Sequence, residues 1–424
     1  MTGWVVGFGC SVLADQVFFL SLAWAAVSLG VPGLVGLVLA AASVPRILVL
    51  LVSGAVADAR SPKRIIIGTD SGRALVMAVA AAAVLMGDLN AWVLLGVAVA
   101  VGTLDGFFLP AVGALPVRIA PPELMGRVSA LRTVTQRVGM LGGGPLAGWL
   151  IHLFGPSAAF AGSAVLFALS VGSLALVTLA PRPGPAPAVP DRASTSSPSP
   201  LLARAWAETA AGFQVVRGNR VLAGLLLLIG GMNLGFAGPF TAGIPLLAAA
   251  HGWGAGGAGL LVGAFGAGAA AGGLGLLAVR QVPHAGWVQL VAVASMGLTL
   301  AAVGVVSHLG VALAAALVLG LGSGVFGTVV YGLLLNLSPA ADVGRVMALL
   351  SLTLEGTAAL SFVATSAVTT SRSAGASFIL GGLLILATTL AVATRPHLCQ
   401  LRTERPKPIP ETPVLRPEPA HSSR

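Results

Sequence analysis

The chain has 424 residues, of which 56% are hydrophobic and 8% charged, and its mean hydropathy is +0.97. Soluble domains carry about 25% charged residues, so this composition excludes a water-facing globular surface. The formal charge of +10 comes from cations set between apolar runs, not from one patch, which argues against nucleic acid and for the Lys/Arg excess on the inner side of membrane proteins.

A spanning helix needs about 20 largely apolar residues, and twelve runs qualify. The first six are Trp4–Leu29, Pro32–Ala57, Ile65–Met86, Ala91–Val117, Val128–Phe154 and Ser157–Leu179. The other six are Val221–Ala249, Gly256–Val279, Trp287–Ser307, Gly310–Leu337, Val346–Thr369 and Ala374–Thr394. Between the sets, Pro181–Pro200 is rich in Pro, Ser and Ala, the composition of a linker. Leu202, Trp206, Phe213 and Val216 then share one helical face, which predicts a short helix lying on the inner membrane surface. The expected fold is all-α and membrane-integral. It has one six-helix bundle in 1–180, a cytoplasmic linker in 181–220, a second bundle in 221–394 and a disordered cytoplasmic tail in 395–424.

With the N-terminus inside, the inner loops hold Arg60, Lys63, Arg64, Arg118, Arg127, Arg217, Arg220, Arg280 and Arg345, and the outer loops only Arg372. A retained first span and cytoplasmic termini follow from that reading. The halves also repeat. Gly126-Arg127-Val128-Ser-Ala-Leu131 returns as Gly344-Arg345-Val346-Met-Ala-Leu349, and Pro121/Pro339, Phe160/Phe378 and Gly54/Gly272 keep the same offset. Parallel repeats of this kind place a site at their interface near mid-membrane.

Asp15, Arg46, Asp105 and Glu355 fall near the middle of predicted spans. A charge there costs about 2.5–3.5 kcal/mol on insertion scales, so such residues face a cavity or a partner. Asp15 and Arg46 sit at similar depth on consecutive spans and are expected to pair; Asp105 and Glu355 have no obvious intramembrane cation and are the candidate titrating groups. Phe107, Phe108, Met232, Asn233, Phe236, Phe240, Tyr331 and Asn336 are candidates for an apolar cavity wall with few polar groups, which suits amphipathic ligands. Gly320-Leu-Gly322-Ser-Gly324 lies inside a span with no strand before it and reads as helix packing, not as a nucleotide fingerprint.

Cys10 and Cys399 imply no disulfide framework, and no metal-binding spacing or phosphate loop occurs, so no metal, cofactor or ATP-driven cycle is expected. No catalytic constellation stands within the spans, and an enzyme is not expected.

Three segments carry a family resemblance. Gly54-Ala-Val-Ala-Asp58-Ala-Arg60-Ser-Pro-Lys63-Arg64 is similar to the loop after span two of the major facilitator superfamily. Phe107-Phe108-Leu-Pro110 through Pro121-Pro122-Glu123-Leu-Met-Gly126-Arg127 resembles the loop after span four in its bacterial macrolide-efflux and enterobactin-exporter-like drug:proton antiporters. Gly144-Pro145-Leu-Ala-Gly148 resembles that branch's antiporter motif in span five. Ala59, Ser61 and Pro62 replace the usual basic, glycine and basic residues, and the branch's span-four arginine motif is not apparent.

The resemblance implies a monomeric multi-pass exporter in the bacterial plasma membrane, moving drugs or secondary metabolites by alternating access against the proton gradient. It implies a cytoplasmic gate built on Asp58 with its neighbouring cations, to which Arg127 and Arg345 are added by their equivalent positions. Gly144, Pro145 and Gly148 are expected to act as a hinge or seal in span five. An uptake permease on the same scaffold and a non-transporting membrane sensor are the alternatives.

Overall fold

The computed structural model describes residues 2–59, 61–119, 124–177, 201–278, 284–338 and 342–394. The expected linker 181–200 and tail 395–424 lie outside them. All regular structure among the described residues is helical. The first half comprises α1 (Thr2–Ser28), α2 (Pro32–Ala59), α3 (Pro62–Leu85), α4 (Ala91–Ala114), the short α5 (Pro116–Ile119), α6 (Met125–Phe154) and α7 (Pro156–Ala175). Helix α8 (Leu201–Gly218) follows, at the position where the surface helix was expected.

The second half begins with α9 (Arg220–Gly238), which passes through a π turn (Pro239–Gly243) into α10 (Ile244–Ala250). Pro239 lacks an N–H and crowds the preceding turn, which suits a wider turn inside one continuous span. The remaining helices are α11 (Gly254–Ala278), α12 (Ala285–Val303), α13 (Leu309–Leu337), α14 (Val343–Ser371) and α15 (Ala374–Ala393).

Eleven of these segments are long and apolar enough to cross a membrane. The twelfth expected span is α6, a continuous 30-residue helix. Arg127, Arg132, Gln136 and Arg137 lower the hydropathy of its first half, yet it packs against α1 and α11 as an interior element.

Local chemistry sets the helix ends. Asn90 accepts from the Val93 N–H, Asn219 from Val221 and Leu222, and Ser373 from Ala376, each supplying an acceptor to otherwise unpaired first-turn donors. Gly155 alone joins α6 to α7, at φ 81°, a conformation that a side chain would strain.

Within the first half, α1 packs on α6 and α7, α3 on α4 and α7, and α2 on α4; within the second, α13 packs on α11 and α12, and α15 on α9 and α12. Two seams join the halves, α6 with α11 and α2 with α14. The repeated Gly-Arg-Val segments open α6 and α14, one helix from each seam, so the sequence repeat maps onto equivalent structural positions. Phe160 and Phe378, the repeat's matched aromatics, are both fully buried.

Lys63, Arg64, Arg127, Arg217, Arg220 and Arg345 gather at one end of the helices, the basic end, where α1 also begins. The seams are tightest toward the opposite end. There the Gly36 N–H donates to Ser366 Oγ at 2.9 Å, and that hydroxyl donates to the Gly33 carbonyl at 2.9 Å. On the other seam a Cβ at Gly148 would stand 2.9 Å from the Gly259 Cα and 2.7 Å from the Ala255 carbonyl oxygen. Toward the basic end the helices part: between 125 and 138 of α6 only Val128 is buried, and between 343 and 360 of α14 only Val346 and Leu350. Helix α8 crosses this end, touching α2, α9 and α14, with Gly212 against the Arg345 carbonyl and Val216 buried.

Gly259→Ala places a methyl 2.5 Å from the Gly144 carbonyl oxygen, a backbone atom that gives way only if the seam opens. Overpacking of this kind costs about 1–3 kcal/mol, so the thermal midpoint of the purified protein in detergent should fall. Gly113→Ala, where a methyl meets nothing within 4 Å, should leave it unchanged or raise it.

Candidate functional site

At mid-depth, five helices converge on a chain of ionised groups. Arg73 on α3 is wholly buried. Its Nη1 lies 3.2 Å from Asp70 Oδ1 and 3.7 Å from Asp15 Oδ1, and its Nη2 lies 2.5 Å from Asp105 Oδ1. The other carboxylate oxygen of Asp105 binds Nη2 of Arg46 on α2, and Arg46 Nη1 reaches Glu355 Oε2 on α14 at 3.5 Å. The order is therefore Asp70 and Asp15, Arg73, Asp105, Arg46, Glu355. Among the described residues, Arg46–Glu355 is the one ion pair that links the two halves.

Aromatic rings and hydroxyls wrap the chain. The Arg73 guanidinium lies 4.0 Å from the Phe108 ring centroid and 5.4 Å from that of Phe167, and Arg46 lies 5.4 Å from Phe19. Such rings favour a cation electrostatically while excluding water. Asp70 also accepts from Ser11 Oγ at 3.2 Å and Ser170 Oγ at 2.7 Å.

The charges do not balance. Asp15, Asp70, Asp105 and Glu355 supply four carboxylates against the two guanidiniums of Arg46 and Arg73. An unpaired buried charge is costly, and the cluster's own two cations leave part of its carboxylate charge without a partner. Glu355, on the far half, is among its more exposed members at 23% of its side chain.

Several expectations are corrected by this geometry. Asp15 pairs with Arg73, not with Arg46. Asp105 and Glu355 both have intramembrane cations, because Arg46 points across the bundle toward α4 and α14. Asp70 and Arg73 were absent from the expected site although both lie inside the third predicted span; a charged residue in a span is the signal that finds them. Arg132 and Arg137 in the fifth span were passed over in the same way.

The candidate cavity residues separate. Phe108 is buried in the first half against Arg73 and lines no cleft between the halves. Asn233 is satisfied inside the second half, donating to the Leu354 carbonyl and to Thr357 Oγ1, each at 2.8 Å. Phe236 and Phe240 stack at 4.8 Å and both meet Phe265, at 5.4 and 4.3 Å, while neighbouring Met232 is buried. Phe107 is half-buried, and Tyr331 and Asn336 are exposed on the part of α13 nearer the basic end.

The gate candidates whose side chains are described make separate contacts. Lys63 Nζ donates to the carbonyls of Ala175 and Val177 at 2.9 and 2.6 Å, where a cation complements the end of α7. Arg345 pairs with Asp342 at 2.7 Å, and Arg64 and Arg127 are exposed. Gly54, Asp58 and Arg60 lie outside the residues whose side chains are described. Helix α6 runs unbroken through Gly144-Pro145-Gly148, and these residues form the seam against Gly259 and Gly263 of α11.

The sequence profile of the Major Facilitator Superfamily matches residues 4–305. No curated protein matches the sequence significantly. Among solved structures, the nucleoside transporter NupG is similar with a TM-score of 0.68 at 13% identity, covering 93% of this chain and 98% of that one. A D-xylose–proton symporter is similar with a TM-score of 0.68 at 14% identity, over 92% and 94% of the two chains. The human organic anion transporter MFSD10 is similar with a TM-score of 0.61 at 18% identity, over 92% and 98%.

Removing the shared cation should be severe. Arg73→Gln leaves Asp15 and Asp70 without a cation and Asp105 with Arg46 alone, and breaking a buried pair costs about 3–5 kcal/mol. Heat denaturation in detergent should show a large fall for R73Q, partial recovery in D70N/R73Q, and no change for D88N at an exposed loop position.

Proposed function

Since this chain belongs to the Major Facilitator Superfamily and is a multi-pass membrane protein of its transporter fold, we propose that it exports a small amphipathic molecule by exchange for protons. The observation that carries this reading is the position of Arg46, held between Asp105 of its own half and Glu355 of the other. A proton arriving at Glu355 removes the charge that holds Arg46 across the interface. Arg46 then rests on Asp105 alone, and the halves are free to rock. Loss of that proton restores the bridge.

The proton thus acts on the element that joins the halves, and each ligand shifts the equilibrium only through its differential affinity for the two arrangements. The closed opposite end and parted basic end fit the state that loads from the basic side. The Lys/Arg asymmetry supports a cytoplasmic basic end and cytoplasmic termini in the cell membrane. The direction, outward, rests on the antiporter-like Gly144-Pro145-Leu-Ala-Gly148 segment, which here forms the seam of the closed end. The proton gradient supplies the energy, with no cofactor, and a monomer contains the whole site.

The test uses the full chain in proteoliposomes loaded with a lipophilic fluorescent compound, with a pH gradient imposed in either direction. E355Q and D105N should each reduce gradient-driven movement at least about tenfold, equivalent to about 1.4 kcal/mol. D15N should have the smaller effect, because Asp15 stands farther from its cation. Unchanged transport in all three variants refutes the exchange, and accumulation driven in the same direction as the proton flow replaces export by uptake.

A further inference from the structure

Helix α6 presents four surfaces. Gly139 and Gly143 face α1, where a Cβ would meet Val12 and Gln16; Gly144 and Gly148 face α11. Val134, Val138 and Trp149 form an exposed apolar strip, the surface suited to lipid. On the remaining side, between α1 and α11, lie Thr133, Gln136 and Arg137, with Arg132 one turn nearer the basic end and 5.9 Å from the Phe8 ring centroid.

Across the interface stands α13. Its Gly327 lies opposite Arg137, with Nη2 3.8 Å from the site of a Cβ, and Tyr331, one turn along, lies within electrostatic reach of Arg132. The two helices run in opposite directions, so both pairings belong to one consistent register. Among the described residues, the carboxylates within 4 Å of an arginine are taken by Arg46, Arg73 and Arg345. Arg132 and Arg137, each half-buried, have none. Arg137 is the thirteenth residue of a 30-residue helix, so its guanidinium sits close to the membrane midplane, where an uncompensated charge is expensive.

We infer that Arg132 and Arg137, with Gln136 and Tyr331 beside them, form an anion-binding subsite in the cleft, and that its guest is an apolar body carrying one carboxylate or phosphate group. Two guanidiniums one to two turns apart offer paired donors to such a group, Gln136 and Tyr331 add neutral hydrogen-bonding groups, and the missing side chain at Gly327 leaves room beside Arg137. The subsite is separate from the carboxylate chain. It deepens the transport reading, since it gives the guest an anionic end.

The experiment measures binding, without a gradient, to the full chain in nanodiscs of neutral phosphatidylcholine. The probe is dansyl-labelled undecanoic acid, compared with its uncharged primary amide. The acid should bind at least about tenfold more tightly than the amide, the effect of a charge-assisted hydrogen bond, and its advantage should shrink at high salt. R132Q/R137Q should erase the advantage while binding the amide as before, and R137K should keep part of it. Equal affinity for acid and amide at low salt, or an advantage that survives in the double variant, overturns the subsite.

Should the double variant lose amide binding as well, the unmodified protein's acid–amide and salt comparisons decide alone. Phosphatidylglycerol in the disc distinguishes the sources of the anion: competition with the acid assigns a lipid headgroup, and its absence assigns a free amphipathic molecule. A negative result leaves proton exchange standing, and loss of exchange in the carboxylate variants leaves the subsite standing.

Discussion

Four carboxylates and two guanidiniums share the centre of a structure otherwise built to exclude water, and that imbalance constrains everything around it. Two fixed ion pairs would satisfy buried charge and do nothing further. The excess of carboxylates cannot be satisfied by Arg46 and Arg73 alone. Uptake of a proton, as the proposed exchange requires, offsets part of that excess. Serine hydroxyls on Asp70 and aromatic rings around Arg73 hold the deep end of the chain rigid. The variable end is the Arg46–Glu355 pair, which crosses between the halves and is more exposed than Arg73 and Asp70.

Packing gives that variable end its leverage. Near the closed end, α6 and α11 approach until glycine backbones touch, and α2 is tied to α14 through Ser366. Interfaces packed this closely have discrete arrangements and do not deform smoothly. Arg46 stands on α2 and Glu355 on α14, so the one ion pair between the halves among the described residues lies on a seam helix from each. A change of charge there acts directly on the seam.

Much of this was legible in the sequence. Span positions follow from the length of apolar runs, a constraint imposed by bilayer thickness, and they agree with the helices to within a few residues. The repeated Gly-Arg-Val segments marked equivalent seam helices. Four of the six ionised groups in the chain were also recognised. Their pairing was not, because depth can be estimated from position in a run but azimuth cannot. Asp15 and Arg46 do sit at similar depth, yet Arg46 faces α4 and α14 while Asp15 faces α3. Lys63 illustrates the same limit: read as part of a gate, it instead occupies the carbonyl end of α7, a contact between helices far apart in sequence. Arg132 and Arg137 were legible as charges within a span, and their meaning emerged only when α13 was seen opposite them.

Charge in the cleft is also sorted by place. Carboxylates dominate the chain running into the first half, whereas the bare guanidiniums line α6 on the path from the basic end. Arg46 alone belongs to both regions by depth, with a carboxylate on either side. An anionic guest drawn along Arg132 and Arg137 would approach the same mid-depth at which Glu355 competes for Arg46.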